Sequence, residues 1–241
     1  MSVAVQDLFE ESQYQEHQLG SLYIDEATGN KYRYVQAGAS NLATGHLLQE
    51  AAEDTNYRSM AVNTAQAIGD TQISVTLGGT AVTANQFDDG HIFIESSTGL
   101  GQQFRIVRHD AQASTTGSCT FYLDRAIKVA LTTSSQATIR KSAYDGVIDY
   151  PTTPTGGPIG IALYALTAAY FGWVQSGGDV PVLFDTGANA AADESAIMPS
   201  RDVAGSVTPV LETLAAPIHI GWAREQVSTD STYSMAHLNI D

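Results

Sequence analysis

Cysteine is nearly absent from this chain. Cys119 is the single cysteine among 241 residues, so one chain can form neither an internal disulfide nor a cysteine-based zinc cluster. A chain of 25.6 kDa is long enough to bury a stable core without such cross-links. We therefore expect a fold held by packing alone, suited to a reducing cytoplasm or indifferent to redox conditions.

Basic side chains are also scarce. The sequence has 11 Lys and Arg against 26 Asp and Glu, a net charge of −15, and its lysines are Lys31, Lys128 and Lys141. Such a surface repels a phosphate backbone and lacks a basic stripe that would attract one, so we exclude direct nucleic-acid binding. The N-terminal segment carries acids where a signal peptide carries basic residues, and we expect an untargeted product of cytoplasmic translation.

No apolar run has the length of a membrane anchor. The most apolar stretch, ALYALTAAYFGWVQSGGDVPVLFD at 162–185, is interrupted by Thr167 and Gly172. Its β-favouring aromatics and its SGGD motif predict two or three strands closing on a tight turn, with a buried helix over 161–171 as the alternative. Pro181 cannot donate a ladder hydrogen bond, so we expect an edge strand or a bulge there.

Signatures of catalysis are missing too. The sequence contains no Walker A loop, no G-x-S-x-G elbow and no H-E-x-x-H pair. The segment GLGQQF at 99–104 lacks the third glycine of a dinucleotide-binding loop and predicts a hairpin turn. We therefore expect no catalytic, cofactor-binding or metal-binding residues, and a protein that is not an enzyme.

Two groups of residues have both a structural and a functional interpretation. The acidic pairs Asp88–Asp89 and Asp193–Glu194 are typical of solvated turns, and calcium binding at the first pair is the alternative. The aromatic cluster within residues 164–173 is typical of a sheet core, and a ligand pocket or an interface is the alternative.

Short alternating runs between turn residues recur along the chain. In TQISVTL at 71–77, apolar residues alternate with polar ones, which is the period of a half-buried strand, and the same pattern places Cys119 on a core face. Five such runs between residues 71 and 142 predict a compact antiparallel sandwich or small barrel. A second set of runs follows Tyr144. The fold class that we expect is mainly β.

The two sets of runs predict two β subdomains. We expect a main β domain formed by residues 21–60 and 143–241, and a small β domain formed by residues 61–142 and inserted into it. The insertion follows from the order of the two sets of strands along the chain.

Residues 1–20 differ from both sets because they are polar, acid-rich and without alternation. We expect an extended N-terminal arm that becomes ordered against a partner. Isolated apolar side chains in such a segment are what an anchoring peptide needs, so they are our candidates for partner binding. These residues are Leu8, Phe9 and Tyr14.

Several distinctive segments follow one another in the chain. They are GSLYIDEATGNKYRYVQAG, YDGVIDYPTTPTGGPIG, AYFGWVQSGGDVPVL, SVTPV, IGWARE and HLNID. In this order they resemble tailed-bacteriophage virion proteins, namely the small β-rich structural proteins encoded among head genes that act as capsid decoration or cement proteins. The resemblance extends from about Gly20 to Asp241. It implies a protein that binds the major capsid protein on the outside of the assembled head, commonly as a homotrimer, and that locks neighbouring capsomers together.

Two other functions fit the same residues. A neck, tail or head-fibre component of the virion is a structural alternative, distinguished by its copy number. A carbohydrate-binding or hydrolytic β-sandwich belongs to a different class, and its site would consist of Trp173, Trp222 and the acidic loops. For the leading function we expect synthesis in the host cytoplasm and a final location on the outer capsid surface, with no cofactor and no contact with a membrane.

Overall fold

The computed structural model of the protein describes residues 7–187, 192, 194–210 and 218–241. The first six residues of the expected arm lie outside these ranges, as does Asp193 of the acidic pair Asp193–Glu194. Within them the chain consists of strands, turns and one turn of 3-10 helix, Thr55–Tyr57, so the expectation of a mainly β fold is confirmed.

The strands are short, with one exception, and are numbered in chain order. They are β1 Leu22–Ile24, β2 Lys31–Ala37, β3 Leu47–Gln49, β4 Met60–Ala61, β5 Gln72–Thr76, β6 His91–Ser96, β7 Gln103–His109, β8 Ser118–Leu123, β9 Gln136–Arg140, β10 Asp145–Asp149, β11 Pro158–Ala162, β12 Phe171–Phe184, β13 Ala196–Pro199, β14 Val207–Pro209, β15 Gly221–Ala223 and β16 Thr232–Asn239. The five strands expected between residues 71 and 142 are present as β5 to β9.

The chain folds into two compact units. One, the main unit, consists of Met1–Ala52 together with Ala143–Asp241, and the other, the inserted unit, consists of Glu53–Ser142. Each has its own sheet and its own buried core.

The main unit contains a ten-stranded sheet in the order β1-β2-β10-β3-β11-β12-β14-β13-β15-β16. The sheet folds back on itself because β12 also pairs with β2 and with β16. Most neighbours are antiparallel, and the pairs β2–β10 and β12–β14 are parallel. Strand β12 is therefore the seam of this unit.

The expectation of a tight turn at the SGGD motif is wrong. Residues Ser176–Asp179 lie inside β12, which runs unbroken for 14 residues. The ladder to β2 shifts register between Gln175 and Gly177, and the strand then pairs with β16 from Gly177 onward. Gly178 has φ +88°, and a Cβ there would overlap Asn30, so the glycines permit a kinked strand that changes partners.

The alternative of a buried helix over residues 161–171 is also wrong. Residues Pro158–Ala162 form a strand and Phe171 begins the next one, with turns between them. Pro181 lies within β12, and among the described strands its one ladder partner is Met235 of β16, as the edge alternative predicts. The shift in register lies away from it, at Gln175–Gly177.

The aromatic cluster forms core, as its structural interpretation predicted. Tyr34 is fully buried, and its ring stacks on Phe171 at 6.2 Å between centroids and meets Trp173 edge-on at 5.2 Å. These residues pack with Leu19 and Tyr32 in one hydrophobic cluster of the main unit. Aromatic pairs of this geometry contribute about 0.5–1.5 kcal/mol each beyond the area that they bury.

The inserted unit is a six-stranded sheet in the order β4-β9-β6-β7-β8-β5. A bridge between Val62 and Val75 links the two ends of this order, which makes the sheet nearly a closed barrel. Cys119 lies on the core face as expected, and burial raises the pKa of its thiol to about 11. Residues 99–102 of the GLGQQF segment lie in the turn between β6 and β7, with Gly99 and Gly101 at positive φ, and Gln103 and Phe104 begin β7.

Alternation in the C-terminal runs predicts two sets of residues that each share a face, namely Ile218, Ile220 and Trp222, and Ala236, Leu238 and Ile240. Ala236 and Leu238 are buried and Ile240 packs against the same core. In the first set only Ile220 is buried, whereas Ile218 is exposed and Trp222 is partly buried and stacks on His237.

Candidate interaction surface

Residues 7–20 of the expected arm lie against the main unit of their own chain. The amide of Ser12 donates to the carbonyl of Phe171 at 2.9 Å, and the amide of Phe171 donates back to Ser12 at 2.8 Å. Near the end of the segment, the amide of Gly20 donates to the carbonyl of Tyr34 at 2.8 Å. This part of the arm is thus ordered by the chain itself, whereas the sequence led us to expect order only against a partner.

Two acidic residues hold the arm to the loop that precedes β12. The carboxylate of Glu11 accepts hydrogen bonds from the amide and the hydroxyl of Thr167, at 2.7 and 2.8 Å. The hydroxyl of Tyr164 donates to the carbonyl of Glu10 at 2.6 Å. Burial, followed by the charge of Glu11, raises the pKa of Tyr164, so this hydroxyl stays a donor at physiological pH.

The three partner-binding candidates occupy different places. Leu8 is partly buried and packs on the aromatic cluster of the main unit. Phe9 and Tyr14 are 64% and 77% exposed. Single apolar side chains are common on surfaces, so exposure alone does not distinguish Phe9 and Tyr14 from ordinary surface residues.

Phe9, however, lines an open apolar groove of about 670 Å³ in the main unit. The lining residues are Phe9, Asn30, Tyr32, Thr44, Gly45, Ala162, Leu163, Gln175, Val180, Pro181 and Tyr233, and none of them carries a charge. In a chain with a net charge of −15, an uncharged concave surface with exposed rings is a candidate for protein binding. We call it the Phe9 groove.

One wall of the Phe9 groove consists of residues from β12 and β16. Tyr233 is 56% exposed, and its hydroxyl donates to the carbonyl of Thr44 at 3.2 Å. Its ring lies over Gly45, where a Cβ would overlap it. Met235, the neighbour of Pro181 across the ladder, is 38% exposed and extends the apolar surface.

Sequence reasoning missed this wall, although it left a signal. In STYSMAHLNID the residues Ala236 and Leu238 face the core, and Tyr233 and Met235, which precede them on the opposite face, are also large and apolar. A half-buried strand normally has polar residues on its outer face. A strand that is apolar on both faces indicates that its outer face is available for contact.

A polar cleft of about 320 Å³ lies beside β16 in the same unit. In it, Nδ1 of His237 and Oδ1 of Asp179 are 2.6 Å apart, and the His237 ring stacks on Trp222 at 4.1 Å. The hydroxyl among the residues that line the cleft belongs to Thr28, and it donates to Asp25 at 2.7 Å. The one hydroxyl of the lining is thus bonded to Asp25 and is not paired with the imidazole, and the His–Asp pair links neighbouring strands.

The acidic pair Asp88–Asp89 divides into two different environments. Asp89 accepts a hydrogen bond from the guanidinium of Arg105 at 3.0 Å. Asp88 has a buried Oδ1 without a hydrogen-bond partner, and burial followed by the charge of Asp89 raises its pKa to about 6. Across the described ranges of the chain, no three His, Cys, Asp or Glu residues are grouped so that they could hold a metal ion.

The two tryptophans of the carbohydrate alternative lie in different environments. Trp173 is 3% exposed and lies in the aromatic core, so its ring cannot serve as a platform for a sugar. One face of Trp222 is covered by the imidazole of His237.

Comparisons with protein-family models, with curated proteins and with solved structures find no match to this chain. Among the helical segments that the structure describes, none combines the length and the hydropathy required to span a bilayer.

Proposed function

We propose that this protein is a bacteriophage capsid decoration protein, which binds the major capsid protein on the outer surface of the assembled head and stabilises contacts between capsomers. The observation that carries the proposal is the Phe9 groove, an uncharged apolar surface beside an N-terminal arm on a strongly acidic chain. The resemblance of the chain's segments to decoration proteins supports the same function.

The charge of the chain is compatible with this position. A net charge of −15 keeps the protein away from packaged nucleic acid and disfavours nonspecific association between copies. An uncharged groove avoids the cost of desolvating charges at the centre of an interface.

The groove alone is smaller than a stable interface requires. Specific protein–protein interfaces bury about 800 Å² on each partner. The arm adds contact area next to the groove, because Phe9 and Tyr14 project from it into solvent. Many copies on one lattice also gain occupancy through avidity, so each contact can be modest. The resemblance implies a homotrimer, which light scattering of the purified protein tests.

Reconstitution on heads that lack this protein tests the proposal. We expect saturable binding of the wild-type protein and a loss of about tenfold in affinity for Phe9→Ala, the typical effect of removing an aromatic anchor. The matched control is Ile68→Ala in the inserted unit, because Ile68 is 67% exposed, and we expect it to bind like the wild type. A wild-type protein that does not bind heads would contradict the proposed function. Normal binding of Phe9→Ala would show that the Phe9 groove is not part of the binding surface.

The alternative of a neck, tail or head-fibre component uses the same kinds of contact. It differs in stoichiometry, since those structures occur at one or a few places on a particle. The copy number of the protein in purified particles therefore separates the two.

A further inference from the structure

Strand β1 is the open edge of the main unit. Each of the other nine strands in its sheet has at least two neighbours, because the pairings of β12 with β2 and with β16 fold the sheet back on itself. In the described part of the chain, β1 pairs with β2 alone. Strand edges carry unpaired N–H and C=O groups that can accept another strand.

The hydrogen-bonding direction along β1 follows from its flanking residues. The carbonyl of Ser21 accepts from the amide of Tyr34, and the amide of Asp25 donates to the carbonyl of Asn30, so Ser21 and Asp25 face the neighbouring hairpin strand. Main-chain groups alternate in direction along a strand, and Leu22 and Ile24 therefore point theirs away from β2. These two residues offer two donors and two acceptors to an incoming strand.

The side chains of the same two residues are apolar and exposed. Leu22 and Ile24 are each 46% exposed, whereas Tyr23 between them turns to the other face and packs at 6.1 Å from the ring of Trp173. Edge strands are normally protected by short length, by charged residues, by proline or by a bulge. β1 is short, with three residues, but its sequence, LYI, contains no charge and no proline, and its ladder to β2 has no bulge.

We propose that β1 is a docking strand, to which an extended segment of the shell protein adds as a further antiparallel strand. The proposal rests on the proposed function and deepens it by naming the chemistry of the partner. The incoming segment has apolar side chains opposite Leu22 and Ile24, and a basic residue beside the exposed Glu26 in the turn that follows β1.

A second copy of this chain is the competing occupant, and the geometry disfavours it. Two β1 strands pair antiparallel only around a twofold axis, which closes a dimer and leaves no edge for a ring. A ring of three built by strand addition needs two open edges in each copy, and the described strands of the main unit leave one. The net charge of −15 on each copy also opposes self-association.

The most direct test removes the backbone N–H of Ile24, which points away from β2. Ile24→Pro removes an N–H that points away from β2, so the internal ladder keeps its hydrogen bonds. Ile24→Thr, the matched control, keeps the N–H and the β-branched shape. On heads that lack the protein, we expect Ile24→Pro to bind about tenfold more weakly than the wild type and Ile24→Thr to bind within about threefold of it.

Hydrogen exchange provides a second measurement that needs no variant. In the wild-type protein, we expect the amides of Leu22 and Ile24 to exchange rapidly when free and to become protected on heads. Binding of the wild type without this protection, or equal binding of Ile24→Pro, would overturn the docking strand and leave the proposed function standing. A free dimer that Ile24→Pro dissociates would overturn it in favour of a second copy. Failure of the wild type to bind heads would overturn both.

Discussion

The imidazole of His109 accepts a hydrogen bond at Nε2 from the amide of Phe87, over 2.9 Å, in the core of the inserted unit. The other ring nitrogen, Nδ1, lies 3.1 Å from the carbonyl of Asp110 and can only be its donor. His109 is 1% exposed. The two contacts require the neutral ring with its proton on Nδ1, and protonation of Nε2 would break the bond to Phe87.

We predict that this histidine makes the protein lose stability in acid. Burial lowers the pKa of His109, so its contribution to stability is complete above about pH 6.5, the value of an unfolded chain, and declines as the pH falls below it. His109→Gln retains an acceptor for Phe87 and does not titrate. Calorimetry at pH 7.5 and pH 5 should show a loss of about 1 kcal/mol in the wild type that this variant lacks. The control is His219→Gln, at an exposed position, and an identical loss in all three proteins would contradict the account.

Asp88 should have the opposite pH dependence. Its pKa is raised to about 6, so the charged form is disfavoured in the fold, and stability falls as the pH rises from about 4 through 6. We expect Asp88→Asn to stabilise the protein at pH 8 by about 1 kcal/mol, a value limited by partial solvation, and to have no effect at pH 4. The neighbouring Asp89→Asn, which loses its ion pair with Arg105, should destabilise at pH 8. Denaturant titrations at the two pH values measure both, and a destabilised Asp88→Asn at pH 8 would contradict the assignment.

Glu11 should control the docking of the arm. Its carboxylate accepts two hydrogen bonds from Thr167, and Glu11→Ala removes both. We expect residues 7–20 to be cleaved faster by protease while the melting temperature changes little, because the loss is about 1 kcal/mol and local. Glu16→Ala, on the same arm, removes an equal charge but leaves the amide that donates to Tyr34. Equal cleavage of the two variants would show that charge, and not the bonds to Thr167, sets the docking.

Two glycines at positive φ should differ in their tolerance of alanine. Gly178 has φ +88° and its Cβ would overlap Asn30, whereas Gly29 has φ +78° and open space around it. We expect Gly29→Ala to cost about 1 kcal/mol from backbone strain alone. Gly178→Ala should cost about 2–4 kcal/mol, because strain and overlap combine at the seam of the sheet. Thermal unfolding measures both, and equal costs would contradict the packing described at Asn30.

Periodicity in the sequence was sufficient for the strands of the inserted unit. In β5 the residues Ile73 and Val75 are fully buried and alternate with half-buried Ser74, which is the pattern from which the strand was predicted. The same reasoning placed Cys119 in the core. Alternation predicts strands well where one face is buried and the other solvated, because the polarity of each residue then matches the side of the sheet on which it lies.

The same reasoning failed in β12. Gly177 and Gly178 have the composition of a turn. They lie instead where β12 changes its pairing partner from β2 to β16, and there the strand needs a kink and close approach of its neighbours. That role depends on strands distant in the sequence, so no local pattern reveals it. For a similar reason, only one side of the Phe9 groove could be predicted from the sequence. Phe9 stands out in the polar arm, but Tyr233 and Pro181 come from elsewhere in the chain.

The central claim is that this protein decorates the capsid of a bacteriophage. Quantitative mass spectrometry of purified particles tests it most directly, by the copy number of this chain relative to the major capsid protein. Decoration of the whole lattice predicts a ratio near one to one. A dozen copies or fewer per particle would place the protein in the neck or tail, and its absence from particles would contradict a role in the virion altogether.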